Sequence, residues 1–367
     1  MSIAFEPFTI NGLEIKNRFV RSATWEGMAA EDGSVSERLI NTLVELARGE
    51  VGLIIPGHAY VQPRGKASSW QLGIYRDELL PGLKRLTAAI HESGGKTVAQ
   101  LAHAGVFTTP ELAGGRPFCV SEVDGLPNHP HQEISPSEIQ GLVSDFAAAA
   151  GRAKEAGFDG VQIHSAHGYF LSQFLSPAFN KRTDDYGGSL KNRVRIHLDV
   201  LRAVRREVGR DYPVLVKLNC EDFVDGGLLS QESVEAAKLM AGVGLDAIEL
   251  SGGILTGGKL APSRPGINSR DKEAYFSSQA GSFRAGIELP LILVGGMRSP
   301  EKIEEVISGG TADFVSLSRP LIREPQLVKR WREGDRRPAE CVSDNLCFTP
   351  AMEGKGIYCL SREREQT

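Results

Sequence analysis

Short runs rich in β-branched and apolar residues recur along the chain, and each finishes in Gly, Ser, His or another polar residue before an amphipathic stretch begins. This alternation predicts parallel strands joined by crossover helices. The strand-like runs are 17–23, 52–57, 96–103, 160–164, 214–219, 247–252, 291–296 and 314–319. Eight such strands are what a closed (β/α)8 barrel needs. Helical periodicity falls on 36–48, 80–93, 136–156, 191–208, 231–243, 300–308 and 324–332, several opened by Ser or Pro and closed by Gly. The predicted fold class is therefore α/β, a TIM (β/α)8 barrel.

The opening stretch Phe5-Glu6-Pro7-Phe8-Thr9-Ile10-Asn11-Gly12-Leu13-Glu14-Ile15 reads as a β-hairpin turning at Asn11-Gly12. Such an N-terminal hairpin is placed to cap the bottom of the barrel. Two long connections break the rhythm: 104–136, with many Gly, Pro and His, and 252–280, with many Gly and Ser. Loops of that length in a compact fold are expected to be active-site insertions. Internal repeats, low-complexity tracts and a Gly-x-Gly-x-x-Gly after a strand are all missing. Residues 1–367 are thus expected to form a single barrel domain with a Cys-containing C-terminal extension from about 338.

A formal net charge of −4 lacks the clustered cations that duplex binding requires, which argues against a nucleic-acid partner. No run of roughly 18 uninterrupted apolar residues occurs, and Met1-Ser2-Ile3-Ala4-Phe5 begins no basic-then-apolar leader, so no membrane partner is expected. The expectation is a cytoplasmic protein acting on a small molecule, with a homo-oligomer possible. Cys119, Cys220, Cys341, Cys347 and Cys359 are too scattered for a disulfide framework.

Barrel chemistry concentrates at the C-terminal ends of the strands. His164-Ser165-Ala166-His167-Gly168-Tyr169 puts two imidazoles and a phenol on the turn after the fourth strand. Neutral imidazoles can donate to an oxygen that gains charge during reaction, and a phenol of pKa about 10 can donate a proton. Two other readings stay open: histidines satisfied within the structure, and two ligands of a metal site in a barrel hydrolase or aldolase. No third ligand ends a neighbouring strand, so no metal is assigned. The seventh and eighth strands end in Val294-Gly295-Gly296-Met297 and Ser316-Leu317-Ser318-Arg319. Glycine-bared backbone N–H groups beside a guanidinium suit a phosphate, and loops after strands seven and eight are its frequent place in a barrel.

His164-x-x-His167-x-Tyr169, followed by Gln173-Phe174-Leu175-Ser176-Pro177 and Asn180-x-Arg182-x-Asp184-Asp185-Tyr186-Gly187-Gly188-Ser189-x-x-Asn192-Arg193, resembles the Old Yellow Enzyme and NADH:flavin oxidoreductase family. The likeness runs from Asn17-Arg18 to Arg319. It implies FMN as cofactor, NADH or NADPH as hydride donor, and reduction of the activated C=C bond of an α,β-unsaturated carbonyl compound. By the same likeness His164 and His167 bind the substrate oxygen and Tyr169 supplies the proton. Ala23, Thr24, Gly57, Gln100, Lys217 and Gly252 fall at cofactor-binding positions, while Gly295, Gly296, Ser318 and Arg319 fall in the phosphate loops.

Departures from the family pattern add detail. Trp25 stands beside the flavin and substrate positions where many relatives carry Thr or Cys. Lys217 replaces a frequent Arg near flavin N1, keeping the charge and losing the bidentate fork. Cys341-x5-Cys347-x11-Cys359 resembles the iron–sulfur motif of the dienoyl-CoA reductase branch, but Asp344 stands where a fourth thiolate is needed. A dienoyl-CoA reductase-like flavoenzyme is the closest alternative, and the chain's end soon after Cys359 counts against it.

Overall fold

The computed structural model describes residues 2–366. At its start β1 (Phe8–Ile10) and β2 (Leu13–Ile15) pair antiparallel, with Phe8 opposite Ile15. Asn11 and Gly12 turn the hairpin at φ of 41° and 78°, the primed geometry whose twist matches that of paired strands. The barrel follows with β3 (Phe19–Arg21), β4 (Leu53–Ile54), β5 (Ala59–Tyr60) and β6 (Val98–Ala102). A short parallel pair, β7 (Phe118–Cys119) and β8 (Gln132–Glu133), lies in the long loop after β6. β9 (Gly160–Ser165), β10 (Val214–Asn219), β11 (Ala247–Ser251), β12 (Leu291–Leu293) and β13 (Phe314–Leu317) complete it.

The strand order is β4-β3-β13-β12-β11-β10-β9-β6-β5, and every barrel pair is parallel. Two short strands share the second position: β4 pairs with β3 and β5 with β6. A bridge from Ile54 to Thr97 joins β4 to the start of the β6 segment and closes the ring.

Each of the strand-like runs overlaps an observed strand, that at 160–164 stopping one residue short of the end of β9, and the helix Pro300–Ser308 falls where periodicity placed it. The helix expected at 191–208 is interrupted at Val194, giving Leu190–Arg193 and Arg195–Val208. The one expected at 324–332 begins only at Leu327. The connection 252–280, expected as loop throughout, ends inside a helix, Ser277–Gly286. Its serines and glycines have weak helix propensity. Buried Ala280 and Phe283 fix it against the barrel instead.

What positions the site is the interior of the barrel, where side chains alternate along each strand and stack in layers. The lowest layer is apolar: Val20, Leu53, Val98, Leu215, Ala247, Ile292 and Phe314 pack with Ile10 and Ile15 of the hairpin, all fully buried. The hairpin therefore plugs the bottom as expected. Two residues further along the strands the layer turns polar, with Ser22, Gln100, Gln162, Lys217, Glu249 and Ser316, all 3% exposed or less. Two residues further again lie Thr24, His164, Asn219, Ser251 and Ser318, at the mouth. Among the described residues no helix is long and apolar enough to cross a membrane.

Candidate active site

An open cleft lies at the C-terminal ends of the strands. Ala23, Thr24, Trp25, Gln100, His164, His167, Tyr169, Lys217, Gly296, Ser318 and Arg319 all line it. Three glycines singled out from the sequence do not. The Gly57 N–H donates to the buried Glu26 carboxylate, which also pairs with Arg21 at 2.9 Å. That arrangement anchors the loop carrying Ala23 to Trp25. Gly252 is packed against Cys220, Phe223 and Phe276. Gly295 lies behind the wall, its carbonyl accepting from Tyr275 N–H.

The sequence block after β9 brings its three polar rings together. The His164 ring centroid is 4.7 Å from Tyr169 and 5.4 Å from His167, the two imidazoles crossing at 79°. His167 has φ of 66°, an uncommon conformation for a residue with a side chain. Asn219 holds it there: its Oδ1 accepts from His167 N–H at 2.9 Å, and its amide donates to Asp222 and to the Gly253 carbonyl. His167 Nε2 meets Ser251 Oγ at 2.7 Å. His164 Nδ1 is buried with no hydrogen-bond partner among the described residues. Burial holds His167 down to about 3 and His164 well below the usual histidine range, so both rings are neutral. Burial also pushes the Tyr169 phenol up to about 12, which keeps its proton in place at neutral pH.

Beneath them the polar layer forms one connected network. Gln100 donates to Gln162 at 2.7 Å, and Gln162 donates to Glu249 at 2.9 Å. Glu249 also accepts from Ser22 and Ser316 and pairs with Lys217 at 2.8 Å. Lys217 further donates to Ser22. Both carboxylate oxygens of Glu249 are occupied, which is what burying a charge requires. Sequence reading named Gln100 and Lys217 but missed Gln162, Glu249, Ser22 and Ser316. The signal was the two-residue alternation itself, as in Ala247-x-Glu249-x-Ser251.

At the opposite end, Gly296, Arg298, Ser318, Arg319 and Ser343 surround the cleft. Thr24 and Ser318 share a hydrogen bond of 2.7 Å. Arg298 donates from both terminal nitrogens to the Ile267 and Ala339 carbonyls, while its buried Nε has no partner among the described residues. Gly296 has φ of 73°. Two guanidinium groups, hydroxyls and a bare backbone suit a phosphate monoester. His58, which the family likeness places with Gly57 where the second strand meets the ring, also lines the cleft, whereas Arg298 and Ser343 were not anticipated, although Arg298 lies only two positions past Gly296.

Cys341 and Cys347 are buried, and Cys359 lies beside Arg323 with Nη1 to Sγ of 3.8 Å. Asp344 accepts from Ser361 and from the Leu346 N–H. Among the described residues no group of three or more His, Cys, Asp or Glu side chains is arranged to hold a metal ion.

Residues 4–337 match the NADH:flavin oxidoreductase / NADH oxidase family. The chain is 37% identical over 349 residues to an NADH oxidase of Thermoanaerobacter brockii, covering 93% of this chain and 52% of that protein. It is 34% identical over 332 residues to an NADPH dehydrogenase of Listeria welshimeri, covering 90% and 94% respectively. It therefore spans about half the length of the first relative and nearly all of the second. Among solved structures, an old yellow enzyme homologue from Zymomonas mobilis superposes with a TM-score of 0.78 at 27% identity, over 91% of this chain and 94% of that one.

Proposed function

The chain belongs to the NADH:flavin oxidoreductase / NADH oxidase family, and from that premise we propose that it reduces the activated C=C bond of α,β-unsaturated carbonyl compounds. FMN and a reduced nicotinamide donor come with the membership. The residues present fit FMN: a phosphate-type donor set with the unpartnered Arg298 Nε at one end, and the unpartnered His164 Nδ1 at the other. Gly296, Ser318 and Arg319, with Arg298, would hold the phosphate. Gln100 and Lys217 would serve the polar edge of the ring system, and Ala23 and Thr24 its flank. When bound, FMN supplies the hydride that the nicotinamide has delivered to it.

The observation carrying the reading is the grouping of two neutral imidazoles and one protonated phenol at a single cleft wall. His164 and His167 donate N–H bonds to the substrate carbonyl oxygen, whose negative charge grows as hydride arrives at the β carbon. Tyr169 places its proton on the α carbon, so the alkene gains one hydride and one proton. Trp25 borders the same cavity and limits the shape of the alkene that enters.

Rapid-mixing kinetics of the two half-reactions test this. Tyr169→Phe should leave flavin reduction by NAD(P)H nearly unchanged while slowing reoxidation by cyclohexenone on the order of 100-fold or more, the usual size of general-acid catalysis. Equal slowing of both half-reactions removes Tyr169 as proton donor.

A further inference from the structure

The mouth of the cleft holds a third imidazole that the sequence block does not contain. His58, from the turn between β4 and β5, faces Tyr169 with Nε2 at 3.2 Å from the phenol oxygen. Its other nitrogen, Nδ1, is 2.6 Å from the side-chain amide nitrogen of Gln71. Gln71 is buried, and two backbone groups decide which way its amide points. Its Oε1 accepts from Ala67 N–H at 2.6 Å, and its Nε2 donates to the His58 carbonyl at 3.0 Å. Turning the amide over would set donor against donor at Ala67 and acceptor against acceptor at His58. The second N–H of Gln71 therefore points at His58 Nδ1, which must carry a lone pair. Burial holds His58 down to about 4, so the ring is neutral near pH 7 and its one proton lies on Nε2.

We propose that Gln71 fixes His58 as the Nε2–H tautomer, so that His58 donates to the Tyr169 oxygen and is a positioning residue for the proton donor. The inference rests on the role proposed for Tyr169. A phenol oxygen that accepts from His58 cannot spend its own proton on that nitrogen. The Tyr169 proton is left pointing into the cleft. When it leaves for the substrate α carbon, the phenolate oxygen keeps its bonding pair and gains charge, and the His58 N–H bond strengthens to stabilise it. His58 itself neither gains nor loses a proton. Solvent restores the phenol between turnovers.

Nitrogen NMR of FMN-loaded protein carrying ¹⁵N-histidine, with the His58 signals assigned by their loss in His58→Leu, reads the tautomer directly. Nδ1 in the unprotonated range and Nε2 in the protonated range at pH 7 are expected. A proton on Nδ1 overturns the proposal. Kinetics give a second, independent arm. His58→Leu should slow reoxidation by cyclohexenone on the order of 10- to 100-fold, the scale of one hydrogen bond to a charged group, with flavin reduction by NAD(P)H unchanged. His58→Gln, which can present an N–H at similar reach, should retain most of the rate. In a Tyr169→Phe background His58→Leu should add no further loss, and a loss of undiminished size there overturns the proposal. If Tyr169→Phe alone leaves reoxidation intact, the role of Tyr169 fails. If Tyr169→Phe slows it and the tautomer is wrong, only the role of His58 fails.

Discussion

Lys217 Nζ and Glu249 Oε1 lie 2.8 Å apart with both side chains almost wholly buried in the barrel interior. Burial alone would raise the Glu249 carboxyl, but Lys217, Ser316 and Ser22 outweigh it and hold it below the ordinary carboxylate range. A buried pair of this kind is costly to half-remove, because the survivor is left charged and unmatched. Glu249→Gln should therefore lower stability by about 3–5 kcal/mol, and Lys217→Met added to it should restore much of the loss. Chemical denaturation of the apoprotein checks this, and a double variant no more stable than the single one would remove the pair as the cause. The sign with pH follows. A depressed carboxyl contributes stability above its unfolded value of about 4, and that contribution is lost as pH falls through the folded value.

The buried histidines set a second pH dependence in a higher window. Burial lowers His103 and His197 to about 3 and His58 to about 4. The unfolded chain, with histidines near 6.5, binds more protons than the fold between those limits. Stability should therefore rise with pH from about 4 to about 6.5, with a slope of up to about 1.4 kcal/mol per pH unit for each such histidine. Urea midpoints at pH 5.5 and 7 decide the matter. A midpoint that stays level or climbs on acidification contradicts neutral burial of these rings.

The pattern of residues made the strands legible because each short apolar or β-branched run finishes in glycine or a polar residue, and the barrel's closure needs all of them. It made the mouth legible where chemistry was packed into consecutive residues, as in His164 to Tyr169. It concealed what comes from separate strands. Gln162, Glu249 and Ser22 meet only because residues two apart on a strand share the interior, and none stands in a local motif. His58 was visible at the end of the second strand, yet its hydrogen bond to Tyr169 crosses 111 positions of sequence. The helix Ser277–Gly286 was concealed for the opposite reason, since its packing overrides a composition that reads as loop.

The hairpin plug gives a prediction far from the chemistry. Ile10 and Ile15 are fully buried against the lowest interior layer, including Leu215 and Phe314. Truncation leaves a cavity that surrounding strands, fixed by their ladder bonds, cannot fill. Ile15→Ala should cost about 2–5 kcal/mol with the affinity for FMN unchanged, since the polar layer separates the plug from the cleft. Denaturation and FMN titration of the same preparation test both halves, and a weakened FMN affinity at undiminished stability would contradict the layered account.

Arg319 is tied to the C-terminal extension through one residue. Its Nη1 donates to Asn345 Oδ1 at 2.7 Å, and the same oxygen accepts from Ser263 Oγ at 3.0 Å. Asn345 Nδ2 donates back to the Ser263 carbonyl at 2.9 Å, so the extension, the loop after β11 and the guanidinium are held together. Asn345 sits at φ of 64°, where glycine is at least as comfortable. Asn345→Gly therefore removes the side chain without straining the backbone, whereas Asn345→Ala would mix the two effects. A guanidinium freed from its acceptor must give up side-chain entropy when it meets a phosphate. Asn345→Gly should weaken FMN binding on the order of tenfold, equivalent to about 1.4 kcal/mol. Arg319→Lys should weaken it as well, because the compact ammonium cannot reproduce the bidentate fork. Titration of apoprotein into free FMN, followed by flavin fluorescence, measures both. Unchanged affinity in Asn345→Gly together with weakened affinity in Arg319→Lys would show that Arg319 binds without help from the extension.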